Sequence, residues 1–241
     1  EFHERTVDSD LILALCRQMN LLYRDEDPAG LLVMSATLAQ EALEAALQVP
    51  ILFCEGRTFP LEYRYNRTSV PVSERVQATI ETCLEVIDAS HKEQDGDILC
   101  FLPGVGEINR VQEQLGSTLD ETIILPLHGQ LSDKEQKQVL QPDPSNQRKI
   151  ILATNIAESS LTIDGVSIVI DSGLEKRVTF RPNLGLSELA TENISRASAT
   201  QRQGRAGRQS PGQCYRLYSE TSLQQRQDHI KAEILSTDLT S

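Results

Sequence analysis

The sequence predicts an α/β fold in which helices pack on both faces of a parallel β-sheet. Short apolar runs, typical of buried strands, alternate with longer stretches in which apolar residues recur at helical spacing. Strands that alternate with helices form βαβ units, and such units build parallel sheets. The chain has 241 residues, of which 39% are hydrophobic and 24% charged, so it is long and apolar enough to bury a sizeable core.

Seven apolar runs are predicted to be strands, because each is short and is followed by small or polar residues. In chain order they are residues 31–34, 51–54, 98–102, 123–127, 150–153, 166–170 and 213–218. In a parallel sheet, functional side chains gather where the strands end. We therefore expect the polar residues that follow three of these runs, namely 35–37, 154–155 and Asp171, to lie near a functional site.

Three stretches between these strands are predicted to be helices, at residues 72–89, 105–115 and 134–140. Gly116 is a plausible end for the second helix, because glycine commonly follows the last helical residue. Residues 175–189 alternate polar and apolar side chains around Pro182 and Asn183, a pattern that predicts a β-hairpin. Gly56 and Pro60 interrupt two structured halves, so we expect a domain boundary at residues 55–65.

The charge of the chain is negative overall but unevenly distributed. The net charge is −12, and a strongly acidic chain repels nucleic acid through its average field. Residues 172–217, however, carry eight basic and three acidic side chains. This basic island on an acidic body indicates a confined site for an anion.

The five cysteines are widely spaced and include no CxxC pair, which is typical of reduced thiols in a cytoplasmic protein. We therefore expect a cytoplasmic location. No apolar stretch approaches the ~18–20 residues that a transmembrane helix requires, so we expect no membrane partner. The first residue is Glu, and no basic segment leads into an apolar one, so we expect that a signal peptide is absent or has been cut away.

The most informative motif is residues 201–208, QRQGRAGR. Three arginines recur at every third position, so a helix would place them on one broad face. Two glycines within such a helix cost about 1 kcal/mol each relative to alanine, which suggests that the segment has a function. Arginine donates in a planar fork that matches phosphate oxygens, so the motif predicts a polyphosphate site. The alternative is a solvated basic surface.

Two further segments carry side chains that could act on phosphates. Residues 1–5 include a carboxylate that could activate an attacking water, but taken alone the pentapeptide is better explained as a polar loop. Residues 153–164 place hydroxyl and amide side chains after a strand, where they could contact phosphates or ribose hydroxyls or simply cap a turn. No P-loop of the form GxxxxGKS/T is present in this chain.

Taken together and in this order, these segments resemble the motifs of superfamily 2 helicases of the DEAH-box group. Glu1 to His3 resemble the end of the D-E-x-H box, and residues 35–37 match the S-A-T motif. Residues 101–104 match motif four, residues 153–162 motif five and residues 201–208 motif six. Within the group, the chain is most similar to the bacterial HrpB-type helicases, on residues 2–5, 101–108, 233–235 and 238–239.

The resemblance implies part of an ATP-dependent RNA helicase built on a RecA-like sheet of the P-loop NTPase type. Residues 1–56 would be the tail of RecA-like domain 1, with its P-loop upstream of this chain. Residues 57–219 would be the complete RecA-like domain 2, and residues 220–241 would lead to a winged-helix domain. We therefore expect the isolated chain to hydrolyse no ATP.

For catalysis, the resemblance implies roles for four residues. Glu1 would activate the water that attacks ATP, and Gln201 would help to place it. Arg205 and Arg208 would reach the γ-phosphate as arginine fingers. Mg²⁺ would be held by the P-loop and by an Asp just upstream of Glu1, so no metal ligand is expected within this chain.

For the nucleotide and for coupling, the resemblance implies a second set of residues. Asp164 would contact the ribose of ATP, and Leu140 stands where many relatives place an aromatic residue against the base. His3 would link the D-E-x-H box to motif six. Ser35 and Thr37 would couple hydrolysis to strand movement.

For nucleic acid, the resemblance implies contacts with the sugar-phosphate chain of single-stranded RNA. Thr154, Asn155, Thr162 and the backbone near Gly129 would make these contacts, and the hairpin at 175–189 would separate strands. Single-stranded DNA stays open as an alternative track. A rival from another class is a non-catalytic nucleic-acid-binding or interaction module that keeps the RecA-like fold.

Overall fold

In the computed structural model the chain forms two compact units, and each unit is built from segments that are separate in the sequence. The described residues are 2–35, 44, 47–54, 56, 59–89, 96–119, 122–145, 147–158, 161–181, 186–235 and 237. The first unit comprises Glu1–Phe53, Arg177–Ala190 and Asp228–Ser241. The second comprises Cys54–Lys176 and Thr191–Gln227. The domain boundaries expected from the sequence stay a prediction.

Helix α1, Val7–Tyr23, is the main element of the first unit and was not among the predicted helices. Its start is capped by Thr6, whose side chain accepts a hydrogen bond from the backbone of Ser9. The short 3₁₀ helix Glu233–Leu235 is fastened to the same place, because the Glu233 carboxylate accepts from the backbone N–H of Val7 across 3.1 Å. Residues far apart in sequence thus meet at the start of α1.

The strands expected at residues 31–34 and 51–54 are wrong. Both segments are irregular in the structure, and most of their apolar side chains are exposed, with Leu32 at 80% and Leu52 at 91%. A strand requires a hydrogen-bonded neighbour along its length, and an apolar run alone does not supply one. In the first segment, the bond from Phe2 N–H to the Met34 carbonyl is a single bridge.

The second unit is built on a six-stranded sheet in the order β1-β8-β5-β2-β4-β3, and every neighbouring pair is parallel. The strands are β1 Leu61–Tyr65, β2 Asp97–Phe101, β3 Ile123–Leu127, β4 Lys149–Ala153, β5 Val166–Asp171 and β8 Gly212–Arg216. Five of the predicted strands are therefore confirmed. Strand β1 was missed, because it lies at the sheet edge and carries alternating polar side chains instead of an apolar run.

The second unit also contains five helices among its described residues, four of them between strands and the last after β8. They are α2 Arg75–Ala89, α3 Val105–Gly116, α4 Asp133–Leu140, α5 Arg196–Gln203 and α6 Glu220–Gln224. The three predicted helices correspond to α2, α3 and α4, although residues 72–74 form a separate 3₁₀ turn before α2. Helix α4 begins at a capping box in which the Ser132 hydroxyl and the Glu135 carboxylate each bind the other's backbone N–H.

Alternate residues of the central strand β2 bury opposite faces of the sheet. Ile98 and Cys100 pack in one cluster with residues of α2 and α3. Leu99 and Phe101 pack in a second cluster with Val139 of α4 and with the segment after α5. Because successive strand residues point to opposite sides, the predicted α/β class with helices on both faces is confirmed.

The predicted hairpin is confirmed in its strands. Strand β6, Leu174–Arg181, pairs with β7, Leu186–Asn193, as a separate two-stranded sheet. The expected turn at Pro182 and Asn183 lies outside the described residues. None of the helices described is long and apolar enough to cross a bilayer.

Candidate functional site

Helix α5 leads into motif six and ends within it. The helix starts at the N-cap Ser195, whose hydroxyl accepts from the Ser198 N–H, and ends at Gln203 with Gly204 as its C-cap. The expectation that three arginines share one helical face is therefore wrong, because only Arg202 lies on the helix. Gly207 has a local reason to be small: a Cβ there would lie 3.1 Å from the Leu61 side chain, tighter than ordinary packing.

Arg202, the first motif-six arginine, is fully buried in an ion network. Its Nε donates to Oε1 of Glu158 across 2.7 Å, and its Nη1 donates to Oδ1 of Asp171 across 2.9 Å. Burial alone would lower the pKa of Arg202, but the two carboxylates outweigh it and raise that pKa. The guanidinium also lies 4.9 Å from the centre of the Phe101 ring. Arg202 therefore holds the interior together.

Asp171, at the end of β5, is the centre of this network and is fully buried. Its carboxylate accepts from Arg202, from the Tyr218 hydroxyl at 2.7 Å and from the Gly173 N–H at 2.8 Å. Burial would raise the pKa of Asp171, but Arg202 and these hydrogen bonds lower it overall. Asp171 therefore follows a strand as expected and binds Arg202 of motif six, but its oxygens accept hydrogen bonds from groups inside the fold.

Arg205, the second arginine, is 5% exposed. Its guanidinium donates to the backbone carbonyls of Glu158 and Leu161, both in motif five. Carbonyl groups of a loop that lack a secondary-structure partner need such donors when they are buried. Arg205 thus fastens motif five to motif six, and its role as an arginine finger stays a prediction that requires the side chain to leave these carbonyls.

Arg208, the third arginine, is exposed. Its Nη1 lies 3.5 Å from the hydroxyl oxygen of Thr162 in motif five, at the long limit for a hydrogen bond. The two side chains that the resemblance assigns to the γ-phosphate and to RNA are therefore neighbours. Among the basic side chains of the predicted island that the structure describes, Arg202, Arg205 and Arg216 are buried inside the fold.

Asp164, two residues after motif five, and Gln209, directly after motif six, form the next contact between these two parts of the chain. The Gln209 Nε2 donates to Oδ1 of Asp164 across 2.7 Å, and its Oε1 accepts from the Gly165 N–H at 3.0 Å. These residues lie at the edge where strands begin, because the Gly165 carbonyl accepts from the N–H of Asp97, the first residue of β2. Sequence reasoning missed Gln209, whose one signal was its position directly after motif six.

The residues assigned to the RNA backbone after β3 and β4 lie at the opposite edge, where strands end. Thr154 follows β4 and donates its N–H to the Leu127 carbonyl at the end of β3. Asn155 begins the 3₁₀ helix Asn155–Ala157 and is exposed, as is Gly129. Thr154, Asn155 and Gly129 thus lie where strands end, whereas Asp164 lies where strands begin, and the functional roles of all four stay a prediction. The two ends of the segment 153–164, which contains motif five, therefore lie at opposite edges of the sheet.

Leu140 and Gln201 lie on helices of the second unit. Leu140 is the last residue of α4 and packs, half-buried, against the core cluster that includes Phe101. The end of α4 is fixed by the buried Lys149, whose ammonium donates to the carbonyls of Val139 and Gln141. Gln201 lies on α5 and is half-buried.

Two of the expected coupling residues meet in the first unit. The Ser35 hydroxyl oxygen lies 3.2 Å from Nδ1 of His3, within hydrogen-bond distance. Glu1 and Thr37, which the sequence assigned to catalysis and coupling, lie outside the described residues. Among the residues that are described, no group of three His, Cys, Asp or Glu side chains is arranged to hold a metal ion.

Comparison with known proteins shows what this arrangement is similar to. The chain is 42% identical over 243 residues to the ATP-dependent RNA helicase HrpB of Escherichia coli, an alignment that covers 100% of this chain and 29% of that protein. It is 39% identical over 251 residues to the probable ATP-dependent RNA helicase DHR2 of Saccharomyces cerevisiae, which covers 100% of this chain and 33% of that one.

A solved structure agrees. The crystal structure of the E. coli DEAH/RHA helicase HrpB matches 99% of this chain and 30% of its own, with a TM-score of 0.85 and 41% identity. The chain thus spans a third or less of the length of these relatives. The resemblance to DEAH-box helicases of the HrpB type and the RecA-like architecture are confirmed. Residues 78–210 match the helicase conserved C-terminal domain, and the chain belongs to that family.

Proposed function

We propose that this chain is the second motor domain of an ATP-dependent RNA helicase, which couples ATP hydrolysis to movement along RNA or to its unwinding. The observation that carries the proposal is the joining of motifs five and six at one site. Arg208 lies beside Thr162, and Asp164 is held by the residue that follows Arg208. The names of the similar proteins, which are RNA helicases, support the same function.

In this proposal, the substrate ATP lies against the edge of the sheet where strands begin. Arg208 is exposed there and would stabilise negative charge that develops on the γ-phosphate. The exposed Asp164 carboxylate would accept a hydrogen bond from the ribose. Both groups fit a nucleoside triphosphate, because the Arg208 cation can bind a phosphate and the Asp164 carboxylate can accept from a ribose hydroxyl.

Two further groups of the ATP site lie on helices of this chain, and the others belong to the rest of the protein or to Glu1, which lies outside the described residues. We propose that an upstream P-loop domain binds the phosphates and Mg²⁺, and that Glu1 activates the water. Gln201 of α5 would help to place that water. Leu140 would contact the base through its apolar surface, which offers no stacking.

RNA, in turn, would lie along the edge of the sheet where β3 and β4 end. Thr154 and Asn155, with the backbone near Gly129, offer hydrogen bonds suited to phosphates and sugars. Such contacts carry little base information, so the track would be single-stranded RNA of broad sequence. The RNA contact assigned to Thr162 stays a prediction.

Coupling between the two substrates would run through the segment 153–164, whose ends lie at the two edges. Arg205 binds two carbonyls of this segment, so a shift of motif six on hydrolysis would move motif five. His3, Ser35 and Thr37 would transmit the change in the first unit. We also propose a winged-helix domain in the same protein and a location in the bacterial cytoplasm, the latter because the five widely spaced cysteines include no CxxC pair.

The test is ATP hydrolysis by the full-length protein, measured without nucleic acid, with single-stranded RNA and with single-stranded DNA of the same sequence. The proposal predicts a rate that rises with RNA. Equal stimulation by single-stranded DNA would still support an ATP-driven motor, but it would show that the motor does not require RNA. RNA binding without any hydrolysis would support the rival, a non-catalytic binding module.

A further inference from the structure

We infer that Gln209 is a positioning residue that orients the Asp164 carboxylate toward the ribose of ATP. The inference rests on the proposed function, because it assumes that Asp164 contacts the ribose. It adds a residue outside the eight-residue motif six and assigns a specific task to its carboxamide. The group acts through Asp164 and does not itself touch the nucleotide.

The geometry gives Gln209 two contacts with consecutive residues of one turn. The Nε2 donates to Oδ1 of Asp164 across 2.7 Å, and Oε1 accepts from the Gly165 N–H across 3.0 Å. A carboxamide has both a donor and an acceptor, so a single side chain satisfies both partners. Gly165 has a φ of +85°, a conformation that favours glycine. We call the two hydrogen bonds of Gln209, to Asp164 and to Gly165, the clamp, and it acts on a sharply turned backbone.

The clamp decides which carboxylate oxygen is available. Oδ1 is occupied by Gln209, and among the contacts of the described residues none reaches the second oxygen, Oδ2. An ionised carboxylate accepts at both oxygens, so Oδ2 can accept a hydrogen bond from a ribose hydroxyl while Oδ1 stays fixed. Because Asp164 is exposed, its side chain would otherwise sample several rotamers, and a hydroxyl would have to select one of them.

The clamp also joins two segments that lie far apart in the sequence, because Asp164 and Gln209 are 45 residues apart. The side chain that orients the ribose acceptor and the exposed arginine are consecutive residues. The position of Asp164 is thereby tied to that of Arg208. One nucleotide could then bind both groups in a single fixed spacing.

The experiment measures kcat and KM of the full-length protein in the presence of RNA, with ATP and with 2′,3′-dideoxyATP. For Gln209→Leu, we expect the KM for ATP to rise about three- to tenfold, the size expected for the net loss of one ordinary hydrogen bond, because Gln209 acts on the nucleotide only through Asp164. The kcat at saturation should change by less than about twofold. The KM for the dideoxy analogue, which lacks both hydroxyls, should stay as in the wild type.

A matched control is Gln77→Leu, because Gln77 donates from Nε2 to a carboxylate of Glu81 across 2.9 Å on the exposed surface of α2. This control should leave the KM for ATP unchanged. Gln209→Glu separates the two contacts, since it can still accept from Gly165 but cannot donate to Asp164. We expect it to raise the KM for ATP as Gln209→Leu does.

Three results would overturn the inference. One is an unchanged KM for ATP in Gln209→Leu of an active enzyme. A second is a wild-type KM in Gln209→Glu with an impaired Gln209→Leu, which would mean that Gln209 only holds the Gly165 turn. A third is an additive loss when Gln209→Leu is combined with Asp164→Ala, since a residue acting through Asp164 adds nothing once Asp164 is gone. If the wild-type protein hydrolyses no ATP, the proposed function itself fails, and this inference fails with it.

Discussion

Arg202 donates from Nη1 to Oδ1 of Asp171 across 2.9 Å, and both side chains are fully buried where β5 ends. This ion pair shows that the arginines of motif six differ in task. Arg202 holds the interior, Arg205 holds the carbonyls of motif five, and Arg208 alone of the three is exposed. Mutations of the three should therefore have different consequences.

Replacement of Arg202 should unfold the chain more readily. Arg202→Met leaves the Asp171 and Glu158 carboxylates buried without their cation, so we expect the free energy of unfolding to fall by about 3–5 kcal/mol. Urea unfolding measures this change. The control is Arg110→Met, which removes an exposed ion pair with Glu107 at 3.2 Å and should cost less than about 1 kcal/mol. Equal losses in the two variants would contradict the role of the buried pair.

The ion pair between Arg202 and Asp171 also makes the free energy of unfolding depend on pH. The pKa of Asp171 is lower in the folded chain than the ordinary value near 3.9. The ionised carboxylate therefore stabilises the fold in full above about pH 4, and this contribution is lost as the pH falls through the lowered pKa. Asp171→Asn should be less stable at neutral pH and should lose less further stability below about pH 4. Urea midpoints at several pH values test this, and parallel curves for the two proteins would count against it.

Replacement of Arg205 should impair both stability and turnover. Arg205→Ala leaves two motif-five carbonyls without their donor, and a buried unpaired group costs about 1–3 kcal/mol. We expect a lower melting temperature together with a lower rate of RNA-stimulated ATP hydrolysis. A variant that loses turnover at unchanged melting temperature would show that Arg205 acts only as a finger and that the two carbonyl contacts contribute little.

Replacement of Asn155 should weaken RNA binding without changing base preference. Asn155→Ala removes an exposed amide at the edge where β4 ends, and we expect the Kd for single-stranded RNA to rise about fivefold, equally for two unrelated sequences. Fluorescence anisotropy measures both. Thr200→Ala, on the exposed part of α5, is the control and should bind as the wild type does. A loss confined to one RNA sequence would mean that Asn155 reads bases.

The sheet of the second unit could be predicted from the sequence because its central strands are short apolar runs bounded by turn residues. Strands β2 to β5 were located to within about two residues for this reason. Strand β1 was not, since three of its five residues are exposed and its apolar content is low. At residues 31–34 and 51–54 the strand prediction was wrong for the opposite reason. These runs have the composition of a strand, but no strand among the described residues pairs with them.

The candidate site was predicted as a set of residues but not as an arrangement. Helix α1 had a readable signal, since the N-cap Thr6 precedes Leu11, Leu15 and Met19 at helical spacing. The contact between Gln209 and Asp164 had none, because it joins positions 45 residues apart. The glycines of motif six were interpreted as helical residues, whereas Gly204 caps the helix and Gly207 lies after it. Whether an arginine is buried depends on such tertiary packing.

The most direct test of the account concerns Arg208, the exposed arginine assigned to the γ-phosphate. In the full-length protein, Arg208→Ala should lower RNA-stimulated ATP turnover by roughly 10³-fold. The melting temperature and RNA affinity should stay near those of the wild type, because this side chain has one long contact with the rest of the fold. Turnover close to the wild-type rate would contradict the account.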